Sequence, residues 1–310
     1  VHYKAFDNID EKKFSFVKKA RYFFIFSIII TVLGIVTLGV FGLNYGVDFK
    51  AGSNVDISFK KDVSSQKAAL ETYLKDNGFG TPGMTFGAKR VTLRFDDVLT
   101  DTKEKALKQG IAEKFDKDAS MEVNTVDVEI AKELQGNALK AVLIASIGIA
   151  IYVSIRFEWR FAVAAIVKLL HDAFIVISLF SIFRLEVNLP FIVAVLTIIG
   201  YSINDTVVIF DRIRENLRFA KLKTTEDIAR VVDSSIWQTM SRSINTVMTV
   251  LFATVCLLVF GSESIRLFSI AILIGLVFGV YSSVFIASPL WLLLKSKQKP
   301  KTNVKSSAAS

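Results

Sequence analysis

Six long apolar runs alternate with polar stretches along the chain, at about 22–43, 138–155, 161–183, 190–210, 240–260 and 267–294. Each is as long as, or longer than, the ~18 apolar residues taken as a membrane-spanning signal. The long polar block 44–136 separates the first run from the second, and its periodicity is different. Residues 54–60, 84–86, 90–95 and 121–128 alternate apolar and polar like half-buried strands, while 64–77 and 101–117 carry helical spacing. The order βαββαβ predicts a ferredoxin-like plait of roughly 90 residues, with both helices on one sheet face and the other face free for a partner.

Composition agrees with a membrane class. Hydrophobic residues make up 52% of the 310 positions, and mean hydropathy is +0.47. The single cysteine, Cys256, lies in an apolar run, so no disulfide holds the polar block. Charge is uneven. The block 44–136 carries 14 Lys+Arg against 16 Asp+Glu; the rest of the chain carries 24 against 13. A basic excess confined to short flanking segments is the positive-inside signature rather than a nucleic-acid surface. Lys12, Lys13, Lys18, Lys19 and Arg21 place segment 1–21 in the cytoplasm. Arg156 and Arg160, the connection 212–238 and the tail 295–310 join it there. The connection reads as one or two amphipathic interfacial helices and a lipid-facing surface. The expected fold is a multi-pass α-helical membrane protein with six transmembrane helices, both termini cytoplasmic, and one external ferredoxin-like α+β domain at 44–136. Neither a cleavable signal peptide nor an enzyme signature is legible: there is no phosphate-binding glycine loop, no metal-ligand cluster and no nucleophile constellation.

Charges inside the apolar runs are the candidate chemistry. A carboxylate at mid-helix in lipid costs at least ~2.5–3.5 kcal/mol, so it usually faces a bundle interior and works there. Asp205 lies in the fourth run, ~22 Å in from Pro190 by helical rise. At 100° per residue, Asn204, Tyr201, Asp205 and Ser202 share one side of that helix, with Ile203, Val207 and Phe210 opposite. Arg242 starts the fifth run at a matching depth, so an Asp205–Arg242 pair is geometrically allowed. In the third run Lys168 and Asp172 are spaced i, i+4, with His171 beside them. They read either as a proton path or as a neutralised pair that eases insertion. Desolvation raises a carboxylate's pKa and a nearby cation lowers it, so an acid moving between such environments loads and unloads a proton. Arginine keeps its proton, which makes Arg242 a counter-charge or gate. Where the chain leaves the first run, Gly46, Asp48 and Gly52 form a turn motif. Gly275 and Gly279 have GxxxG spacing suited to close helix packing.

The segment GYSINDTVVIFDRIREN (200–216), His171-Asp172, QTMSRSINT (238–246) and the six-run plan together resemble the SecF subunit family of the bacterial SecD–SecF protein-export accessory complex, in the resistance-nodulation-division superfamily. The resemblance covers almost the whole chain. It implies a place in the bacterial cytoplasmic membrane and use of the proton-motive force in late steps of polypeptide export. It implies a SecD partner, separate or fused, the SecYEG channel downstream of the SecA motor, and a translocating polypeptide. It carries the proton route to Asp205 and Arg242. No cofactor is implied beyond the coupling ion, H+ or Na+. The first residue, Val1, fits either an independent subunit or one half of a fused chain. The family's DFxGGT here reads Asp48-Phe49-Lys50-Ala51-Gly52-Ser53, and VEIAKELQG (128–136) stands where a Val-Gly-Pro segment is usual. Two other functions fit the same pattern: a proton-coupled exporter half for a small hydrophobic or lipid substrate, and a non-transporting scaffold of a channel complex.

Overall fold

The computed structural model describes residues 14–220, 224–261 and 263–296. Lys12, Lys13, Lys221, Lys223 and the tail beyond 296 lie outside the described residues.

Helix α1 (Phe16–Phe41) begins ahead of the apolar run because its first turn is capped by protein. Ser15 accepts from the Lys18 amide and donates to Asp233, 2.5 Å away, which also accepts from the Val17 amide at 3.0 Å. These contacts satisfy amides that a helix start otherwise leaves open.

The polar block follows as β1 (Asn44–Tyr45), a helical turn α2 (Val47–Lys50), β2 (Gly52–Ser58), α3 (Lys67–Asp76), β3 (Gly83–Phe86), β4 (Arg90–Phe95), α4 (Asp101–Lys114) and β5 (Ser120–Val126). A short 3-10 turn, Ser64–Gln66, leads into α3. The four-stranded sheet runs β3-β4-β2-β5, antiparallel throughout. That is the order a βαββαβ chain adopts when both helices cross the same face. Val55, Ile57, Val91 and Leu93 point to that face and pack with Leu70, Leu74, Leu107 and Ile111. Asn54, Asp56 and Thr92 alternate to the other face, where Thr92 donates to Asp56 at 2.5 Å.

The expected strand 121–128 stops short, at Val126, because Asp127 caps a helix by accepting from the Ile130 amide at 2.9 Å. Helix α5 (Val128–Arg156) therefore runs without a break from the plait into the second span. Then come α6 (Trp159–Ile182), β6 (Glu186–Val187), α7 (Leu189–Phe219), α8 (Thr225–Phe260), α9 (Glu263–Ser282), a π-helical turn Ser283–Ala287 and α10 (Ser288–Ser296). The expectation of separate interfacial helices in 212–238 is not met. Helix α7 simply continues to Phe219, and α8 starts at Thr225 behind a Thr224–Asp227 capping box. Asn216 donates to Ser235 at 2.8 Å and to Gln238 at 3.1 Å, which holds the two extensions side by side.

Among the described residues, six helical stretches are long and apolar enough to cross a membrane: α1, α5, α6, α7, α8 and residues 265–296. Helices α6 and α7 contribute to both of two buried clusters, and α9 to the second. One is built around Phe161, Phe210 and Trp291, the other around Phe180, Phe191 and Ile198. Ile28, Ile29 and Val36 of α1 and Leu143, Ile144 and Ile151 of α5 are exposed, as lipid-facing residues are. The plait is tied to the helices at several points. Arg94 donates to the Tyr45 carbonyl at 2.5 Å and lies 3.8 Å from Glu186, and Arg90 donates to the Gly261 carbonyl at 2.6 Å. Strands β1 and β6 pair in parallel beside the Arg94 contact.

Candidate functional site

Helix α7 carries the site, and both its start and its neighbours are fixed by specific contacts. Asn188 caps it by accepting from the Phe191 amide at 3.1 Å, and Pro190 sits in the first turn, where its missing N–H costs nothing. Asp48 of the turn motif reaches across from α2 and accepts from the Leu189 amide at 2.7 Å. A carboxylate is favoured there both by the open amide and by the positive end of the helix dipole. Asp48 therefore does more than serve its own turn, which is the role its sequence position suggests. Close by, the Gly46 amide donates to the Val187 carbonyl at 2.8 Å, and Gln135 donates to the Phe49 carbonyl at 2.6 Å. Gly52 has φ +124°, and a Cβ there would lie 2.3 Å from the Phe95 carbonyl oxygen, so only glycine fits.

Halfway along, Tyr201, Ser202, Asn204 and Asp205 open together into a cleft of about 30 Å³ between α7, α8 and α9. That is room for one or two waters. The angular reading of this helix holds: these four line the cleft while Phe210 is buried at 1% exposure on the packed side, against Phe157 and Phe161. Helix α9 comes this close because residue 275 is glycine: a Cβ there would sit 2.3 Å from Ile198 Cγ1. Gly279 is different, since a Cβ would meet Ser202 only at an ordinary 3.8 Å. One oxygen of Asp205 accepts from Ser243 Oγ. The other, Oδ2, is buried and has no hydrogen-bond partner. A buried polar atom of this kind is satisfied when a bridging water fills such a space.

The Asp205–Arg242 ion pair allowed by depth is not formed. Arg242 and Asp205 line the same cleft, but Arg242 stands exposed at its rim, and the α8 side chain that reaches Asp205 is Ser243. Asn204 and Tyr201 are also exposed at this rim.

Lys168, His171 and Asp172 form a second group, deeper than the first. Lys168 is 0% and Asp172 1% exposed, and their ion pair spans 3.0 Å. The pair is more than an intrahelical neutralisation. Lys168 Nζ also donates to the Ser202 carbonyl at 2.7 Å and to Ser202 Oγ. Asp172 Oδ2 accepts from Ser202 Oγ at 2.6 Å and from Ser282 Oγ at 2.8 Å. His171 Nδ1 lies 3.0 Å from Asp172 Oδ1, while its Nε2 is buried without a partner. Ser202 lines the cleft and bonds the junction, so it is the link between the two groups. Sequence reasoning missed Ser243, Ser282 and Ser283. The only signal for the last two is the run of small polar residues around the π-helical turn, a distortion often found at functional sites. Among the described residues no group of three or more His, Cys, Asp or Glu side chains is placed to hold a metal.

The chain matches two protein-family models, "Protein export membrane protein SecD/SecF, C-terminal" over residues 106–297 and "SecD/SecF GG Motif" over residues 36–63. It is 44% identical to the protein translocase subunit SecF of Alicyclobacillus acidocaldarius over 296 residues, covering 93% of this chain and 95% of that one. It is 45% identical to the protein translocase subunit SecDF of Bacillus subtilis, covering 94% of this chain but 39% of that protein. Among solved structures, a crystal structure of Thermus thermophilus SecDF, a translocon-associated membrane protein, overlays with a TM-score of 0.82 at 32% identity, covering 93% of this chain and 39% of that one. A SecDF crystal structure in a super-membrane-facing form gives 0.64 at 31% identity over 91% of this chain and 39% of that one. The chain thus spans well under half the length of the SecDF proteins it matches.

Proposed function

Because this chain belongs to the SecD/SecF family of protein-export membrane proteins, we propose that it is the SecF half of a proton-driven device that assists Sec-dependent polypeptide export. Its partners in this reading are a SecD half, the SecYEG channel, the translocating polypeptide and the surrounding lipids. It lies in the bacterial cytoplasmic membrane with both termini on the cytoplasmic side and the plait outside, the orientation favoured by the basic excess outside 44–136.

The observation that carries the proposal is Asp205 Oδ2, buried, unpartnered and facing a cleft that holds water-sized space. In this reading Asp205 is the proton-carrying group, and Arg242, which lines the same cleft, is its counter-charge or gate. Tyr201, Asn204 and Arg242 are exposed at the level of the apolar runs, and polar groups are costly there unless covered. A SecD half seated on this rim supplies the cover and the facing polar groups. One charge crossing 100 mV releases ~2.3 kcal/mol, enough to bias a two-state helix arrangement. A change at Asp205 reaches the plait along α7, through the Asp48–Leu189 contact and the Arg94–Glu186 tie, and along α8, through Ser243 and the Arg90–Gly261 tie.

The test is Asp205→Asn in the full chain with its partner, measuring export into membrane vesicles with and without a proton gradient. Gradient-dependent stimulation should vanish while protein level and melting stay near those of the parent. Undiminished stimulation would falsify the role of Asp205.

A further inference from the structure

The junction of α6, α7 and α9 is built from the donor set of a cation site. Around Lys168 Nζ stand Asp172 Oδ2 at 3.0 Å, the Ser202 carbonyl oxygen at 2.7 Å and Ser202 Oγ. Ser282 Oγ bonds the same carboxylate oxygen at 2.8 Å. Just beyond, Thr206 Oγ1 and Ser283 Oγ are 3.1 Å apart, and the Gly279 carbonyl accepts from Ser282 at 3.1 Å and from Ser283 at 2.9 Å. All of these side chains are buried. The junction lies at the start of the π-helical turn Ser283–Ala287, where helical geometry is interrupted. One carboxylate, main-chain carbonyls and hydroxyls gathered at a distorted span are the ligands that hard monovalent cations take in membrane transport proteins. Here the charge at their centre is a lysine tip. Its ammonium has three protons, and the three oxygens nearest it account for all of them.

We propose that Lys168 is a tethered occupant of a monovalent-cation site at the α6–α7–α9 junction. The ammonium pairs with Asp172 and closes the site to free sodium, so the junction acts as a fixed clamp between three helices rather than a loading station. On this assignment Lys168, Asp172 and His171 have a different job from Asp205, whose cleft is open to water-sized space, although Ser202 borders both. The inference does not rest on the proton-coupling reading, because the site and its occupant are defined without a gradient or a partner.

The experiment is thermal melting of the purified full chain in detergent, in sodium chloride and in choline chloride at equal ionic strength. The parent protein should melt at the same temperature in both salts. Lys168→Met leaves Asp172 with its hydroxyl donors but no counter-charge; it should melt lower in choline and recover by roughly 2–5 °C in sodium, the shift expected when sodium exceeds its Kd about tenfold. Lys168→Met combined with Asp172→Asn removes both charges, so it should lose the sodium response. If Lys168→Met cannot be recovered in choline, sodium present throughout purification should restore it. The inference is overturned if Lys168→Met shows no sodium response, if it cannot be recovered even in sodium, if the double variant keeps the response, or if the parent itself is stabilised by sodium.

Discussion

Ala51 has φ +68° and ψ 164°, a region that is all but reserved for glycine. It stands at the first glycine of the DFxGGT pattern, inside the segment matched by the GG-motif model. Holding an L-residue there costs on the order of 1–3 kcal/mol, part of which the extra unfolded-state freedom of glycine would offset. Ala51→Gly should therefore stabilise the chain by roughly 1 kcal/mol, read as a higher melting temperature; an unchanged or lower value would contradict the strain. The other residues of interest differ in how legible they are. Lys168, Asp172 and Asp205 stand out because charge is rare in apolar runs, and all three occupy polar junctions. Arg242 was legible in depth but not in direction: its neighbour Ser243, about 100° further round the helix, is the one turned toward Asp205. The serines were silent because serine is common in such helices, and their partners lie on other helices, far off in sequence.

At the scale of elements, helix existence and order followed from hydropathy, while helix ends did not. Ends are set by caps from distant residues, such as Asp233 on α1 and Asp48 on α7. Asp48→Ala removes the acceptor of the Leu189 amide and should cost about 1 kcal/mol, with faster amide exchange in the first turn of α7. Asp48→Asn keeps a side-chain oxygen and should lose less; equal losses in the two variants would argue against the capping role. The contact of α7 with α9 gives a second contrast. Gly275→Val drives side-chain atoms into buried Ile198 and should destabilise by roughly 1–3 kcal/mol. Gly279→Ala meets only ordinary contacts and should melt like the parent. The GxxxG spacing marked both glycines; only the geometry tells them apart.

For the molecule as a whole, the division into a six-helix body and a βαββαβ plait was readable from periodicity alone. The docking of one on the other was not, because Arg94, Glu186, Arg90 and Gly261 come from segments with no shared pattern. The two parts should respond differently to acid. In the plait, Asp116 accepts from the amides of Asp118 at 3.1 Å and Lys60 at 2.8 Å, and these bonds hold its carboxyl below the usual range. A depressed carboxylate stabilises the fold above the unfolded value near pH 4, and the contribution is lost as pH falls through the lower folded value. Amide exchange at Lys60 and Asp118 should accelerate below about pH 4. Asp116→Asn should remove that acid step, and its persistence in the variant would exclude Asp116 as the cause.

Helix α7 has one more property that matters at this scale. It runs unbroken for 31 residues, from the amide held by Asp48 to the turn past Asn216. A rod of that size is ~46 Å long, and swinging it by 5° about one tip carries the other through roughly 4 Å. A displacement at its middle is thereby doubled at the far tip, so the end opposite the pivot shows the larger movement.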